Sequence, residues 1–139
     1  MATITEDYVS FEIAKLLKEK GFDGDTASCY ILEDSTHHIM SDKVAQSEYY
    51  ESQDSNEHGH LIQAPTLQMA MKWLREVYGL HISLDPCYDY DSMHVVFLAF
   101  VQNVADVHEF MDGRKNVASY PNAEKSYELA IKYCLENLI

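Results

Sequence analysis

The chain has 139 residues, of which 47% are hydrophobic and 24% charged. That balance belongs to a soluble globular domain able to bury roughly two-thirds of its unfolded surface, and it excludes wholesale disorder, a collagen-like repeat and a disulfide scaffold. Lys and Arg number 10 against 23 Asp and Glu, a formal net charge of −13, which excludes a broad phosphate-binding surface.

The first residues, Met1 to Asp7, carry Glu6 and Asp7 without a basic or apolar run, so no signal peptide is expected. A first helix is predicted after Ser10 as N-cap, with Ile13, Leu16 and Leu17 as its apolar stripe and Gly21 as its stop. Cys29–Glu33 reads as a short strand, and His37–Met40 as its partner after a turn at Asp34. From Glu48 to His60 the chain holds four acids and no Lys or Arg, the composition of an acidic surface loop.

The second helix is the plainest pattern. Leu67, Ala70, Met71, Leu74, Val77 and Tyr78 follow helical spacing after Pro65-Thr66, and Gly79 closes the run. A strand with Leu80, Ile82 and Leu84 on one face is expected to stop at Pro86. His94 to Asn103 is apolar on both faces, as in a central strand. A further strand is expected between Asn116 and Tyr120. The last helix then begins near Asn122, with Ala123, Tyr127, Ala130, Ile131, Cys134 and Leu138 on its apolar face. Lys15–Glu19 and Lys72–Glu76 match in residue type, and each precedes a Gly-apolar pair, which suggests either a duplicated helix-strand unit or two amphipathic helices with a common stop.

The chemistry-bearing residues are sparse. Cys29, Cys87 and Cys134 form no CxxC and read as reduced thiols in a cytoplasmic protein. His58 and His60 are candidate metal ligands, as are Asp85, Asp89 and Asp91. Against them, no HExxH occurs, and the Asp run lacks the Gly and Glu of a calcium loop. His81 and Asp85 share a strand face, as an acid-base pair or as two solvated residues. No nucleophile elbow, phosphate loop or Cys/His signature is found. Neither a catalytic residue nor a cofactor is therefore expected. Tyr49, Tyr50, Tyr88 and Tyr90 are candidate protein-binding residues, because tyrosine buries a ring while its hydroxyl keeps a hydrogen bond.

Gln63–Ile82 (QAPTLQMAMKWLREVYGLHI), Ser10–Phe22 and Ser126–Leu138 resemble stretches of a family of small uncharacterised proteins from Bacteroides-type gut bacteria and their phages and mobile elements. The resemblance covers about half the chain and leaves Tyr88 to Val117 unmatched. It implies an accessory protein encoded on phage or mobile DNA, and it transfers no catalytic residue.

These readings converge on a single α+β domain over residues 1–139, with about three helices packed on a mostly antiparallel sheet. The expected role is a non-catalytic accessory module that binds a protein rather than nucleic acid or membrane. The alternatives are an acidic nucleic-acid mimic that blocks a DNA-binding partner, and a small metal-dependent enzyme. Acids gathered on one face would mark the mimic. Converging His and Asp side chains would mark the enzyme.

Overall fold

A computed structural model describes residues 4, 6–24, 26–33, 36–40 and 61–139. In chain order these form α1 (Phe11–Glu19), β1 (Cys29–Glu33), β2 (Thr36–Met40), β3 (Leu61–Gln63), α2 (Leu67–Tyr78), β4 (Leu80–Asp89), β5 (His94–Asn103), α3 (Val107–Met111), β6 (Lys115–Tyr120) and α4 (Ala123–Asn137). The class is α+β. The described strands form two antiparallel sheets, ordered β2-β1-β3 and β4-β5-β6, in place of the one sheet expected. They belong to two compact units, residues 8–66 and residues 67–139 with the segment ending at Asp7. The acidic stretch 48–60, with His58, His60, Tyr49 and Tyr50, lies outside the described residues.

In the unit of residues 8–66, α1 starts as its sequence dictates. The Ser10 side chain accepts from the Ile13 N–H, and Gly21 takes the left-handed conformation that ends the helix (φ 91°). Ile13, Ala14 and Leu17 are buried, and the helix packs beside β3. Tyr30 on the central strand β1 donates its hydroxyl to the Val9 carbonyl at 2.6 Å and meets Phe11 edge to face.

In the unit of residues 67–139, α2 and α4 lie against the β4-β5-β6 sheet and against each other. The register pairs Ile82 with Val101, Leu84 with Ala99, and Ala99 with Ala118. Strand side chains alternate between faces, so these residues share one face. Ile82, Ala99, Val101 and Ala118 on it are buried, as are Leu67, Ala70, Met71 and Leu74 of α2 and Ala130, Ile131, Cys134 and Leu135 of α4. The buried Ser126 hydroxyl donates to the Phe97 carbonyl at 2.8 Å, fixing the start of α4 on the central strand. β5 is central, as its apolar run predicts.

Three expectations change. Val77 is 57% exposed, because it falls at the margin of the α2 stripe in the last turn, beyond the positions that reach the sheet. Leu138 is exposed as the C-cap of α4, and the core takes Leu135 and Ser126 in addition to the expected stripe. β4 does not stop at Pro86 but runs on to Asp89. It is an edge strand, and an edge tolerates a residue without an N–H. Residues 85–89 thereby belong to a β-hairpin with β5, with Met93 in the left-handed region (φ 59°) at its turn. The two helix-strand units also differ: the strand after α1 is central in its sheet, whereas the strand after α2 is an edge.

Candidate functional site

The hairpin of β4 and β5 brings together what the sequence scatters. Tyr88 pairs with Val95, and Phe97 pairs with Tyr120, so Tyr88, Val95, Phe97 and Tyr120 share the face that α4 covers further along. Burial fades toward the turn, where Tyr88, Val95 and Tyr120 are all exposed. The Tyr90 ring, 81% exposed, meets the Tyr88 ring edge to face at 4.9 Å. The Tyr88 hydroxyl lies 3.8 Å from the sulfur of the exposed Met93. Three tyrosines, a methionine and a valine therefore form one surface cluster. Beside it runs a groove of 470 Å³ lined by Cys87, Tyr88, Asp89, Tyr90, Asp91, Val96, Leu98 and Ser119.

The acids here serve the turn. Asp89 accepts from the Ser92 hydroxyl at 2.7 Å and from the Asp91 N–H at 3.1 Å. These hydrogen bonds favour the carboxylate and hold it below its ordinary value. A depressed carboxyl steadies the folded turn above its unfolded pKa, and that contribution fades as pH falls through the folded value. Asp85 is engaged elsewhere, at 2.6 Å from the Arg114 guanidinium, which stacks 3.9 Å over the Phe100 ring. Asp85, Asp89 and Asp91 thus form no shared ligand set, and Asp85 turns to Arg114 rather than to His81. Among the described residues, no three His, Cys, Asp or Glu side chains converge as a metal site would require.

The thiols divide by burial. Cys29 and Cys134 are buried and Cys87 is exposed, and none of the three is in a disulfide. Burial pushes the Cys134 thiol up to about 12, which leaves it without thiolate at neutral pH. At pH 8 a disulfide reagent is expected to label one cysteine rapidly, Cys87, and the other two only on unfolding. Mass spectrometry of the labelled peptides checks this, and rapid labelling of Cys134 would contradict the packing of α4.

A second, smaller cavity of 260 Å³ lies under the other end of the sheet. Leu80, Val101 and Leu138 form its apolar part, while Asn103, Glu109, Asp112, Gly113, Lys115 and Tyr133 complete its rim. Its one lysine is already engaged, since Lys115 donates to the Tyr133 hydroxyl at 2.6 Å. Among the sequence candidates, Tyr88 and Tyr90 are brought together. Tyr120, Val95 and Met93 were missed, because only the strand register reveals them as neighbours. No helix among the described residues is long and apolar enough to cross a membrane. No family model, curated protein or solved structure matches the chain.

Proposed function

We propose that this chain is a non-catalytic accessory module that binds another protein through the end of the β4–β5 hairpin. The observation that carries the reading is the exposed cluster of Tyr88, Tyr90, Met93, Val95 and Tyr120. Tyrosine and methionine are enriched at protein interfaces, and clustered aromatic anchors carry most of the binding energy there. A contiguous exposed patch of this kind on a soluble protein marks a contact surface. The sequence resemblance adds a setting, phage or mobile DNA in a bacterial cytoplasm.

The test compares the wild type with a Tyr88→Ala/Tyr90→Ala variant as bait in an extract of the native host, followed by affinity measurement with the recovered partner. The double substitution is expected to weaken binding at least tenfold while the unfolding curve stays in place. Unchanged binding would refute the hairpin as the contact. Binding that ignores the tyrosines but collapses in high salt would instead favour the acidic mimic, because exposed charge attraction is screened beyond about 8 Å at physiological ionic strength.

A further inference from the structure

The smaller cavity, of 260 Å³, has a chemical division that the hairpin contact does not use. The strand register sets Leu80 opposite Asn103 and Val101 opposite Lys115. All four lie on the sheet face that α4 covers, where Tyr133 and the C-cap Leu138 of that helix complete the wall. Leu80 and Val101 are buried, and with Leu138 they make an aliphatic floor. The rim above it is charged.

The acids of the rim come from α3. A surface helix ordinarily turns its apolar stripe to the core. No residue of α3 is buried, and Val107, Phe110 and Met111 are exposed. Its Glu109 and its C-cap Asp112 line the cavity instead. Hydrogen bonds fix that orientation. Gln102 donates to the Phe110 carbonyl at 3.2 Å, and the Asn103 amide donates to the Glu109 carboxylate. Asp106 caps the helix by accepting from the N–H groups of His108 and Glu109. Laying the apolar stripe over Leu80 and Val101 would bury more apolar surface, and that gain is forgone. Local arrangements that oppose the ordinary pattern of burial are characteristic of functional sites.

The rim charges do not neutralise one another. Among the described residues, Lys115 forms an ion pair with no carboxylate, and Glu109 and Asp112 with no cation. The Tyr133 hydroxyl accepts one N–H of the Lys115 ammonium at 2.6 Å, which steadies the group and leaves its other donors for a ligand. A simple anion would meet repulsion from the two acids, and a simple cation from the lysine. A zwitterion suits both. Drug-sized ligands occupy clefts of about 300–1,000 Å³, so this cavity fits a smaller molecule.

We infer that the cavity binds a free aliphatic amino acid. Its carboxylate accepts from Lys115, its ammonium donates to Glu109 and Asp112, and its side chain rests on Leu80, Val101 and Leu138. This ligand site lies apart from the hairpin and stands independently of the protein-binding reading.

The test titrates L-leucine, glycine, leucinamide and isocaproate into the whole chain, read by calorimetry and by the backbone amide signals in NMR. Leucine is expected to bind saturably, moving the amides of Val101, Gly113 and Leu138 and leaving those of Tyr88 and Tyr90 in place. Glycine lacks the side chain, leucinamide the carboxylate and isocaproate the ammonium, so each should bind about tenfold more weakly or worse. Lys115→Met should remove the advantage of leucine over leucinamide, and Glu109→Gln/Asp112→Asn its advantage over isocaproate. All three positions are exposed, so the unfolding curves of these variants should match the wild type. The ligand series on the wild type decides the matter even where a variant loses stability. Tyr88→Ala/Tyr90→Ala should leave leucine binding unchanged, which keeps the outcome here separate from that of the hairpin. Absence of saturable binding, shifts confined to residues outside the cavity, or leucinamide or isocaproate binding as tightly as leucine would each overturn the inference.

Discussion

Replacing Leu74 by alanine is expected to destabilise the protein by roughly 2–5 kcal/mol. Leu74 is fully buried at the middle of the α2 stripe, between the buried Met71 and the exposed last turn. Alanine is a good helix former, so the helix itself loses nothing. The loss comes from removing the apolar side chain from a close-packed interior that relaxes only partly around the gap. Denaturant unfolding should show a lower midpoint at nearly unchanged slope, and thermal unfolding a midpoint lower by roughly 5 °C or more. Val77→Ala provides the contrast. Its side chain lies mostly in water, so its effect should stay within about 0.5 kcal/mol. Equal effects at the two positions would mean that α2 faces the sheet differently from the arrangement described.

Gly79→Ala should be comparably damaging for a different reason. Gly79 ends α2 in the left-handed region (φ 68°), where a side chain costs about 1–2 kcal/mol. Its carbonyl also accepts from the Val104 N–H at 2.8 Å, so the helix-to-strand junction runs close beside residues 104–105. A methyl group at Gly79 would collide with the Ala105 methyl group, and crowding of that kind adds roughly 1–3 kcal/mol. Gly113→Ala separates the two effects, because Gly113 has φ 93° and open space where its methyl would go. Equilibrium unfolding should rank Gly79→Ala below Gly113→Ala, and adding Ala105→Gly to the former should recover the difference. Equal stability of the two single variants would show that the junction yields easily.

Sequence periodicity located α2 and α4 because each buries one face against its neighbours, and β5 because its apolar run suits a strand paired on both sides. The same signal failed wherever burial was partial. β4 continues through Pro86 since an edge strand loses no ladder bond there, and the usual reading of proline as a stop does not apply. α3 escaped notice because its apolar residues point outward and its caps, Asn103 and Asp106, resemble ordinary loop residues. The division of the strands between two sheets has no signature in alternation, which reports the faces of a strand and not its partners. Tyr88 and Tyr90 stood out by composition. Their grouping with Tyr120 depends on a register that pairs residues more than twenty positions apart.

Pro86 has a consequence for how the protein behaves at high concentration. β4 is ten residues long and borders the sheet, so its outer row of N–H and C=O groups is a template on which a stray strand can add. Such a template works only if its donors continue in register, and proline removes one near the middle of the outer half. Asp89, toward the turn, adds a charge that an approaching copy of the same edge would meet with its own. The residue that misleads the eye about where the strand ends thus works against growth of that edge into intermolecular sheet.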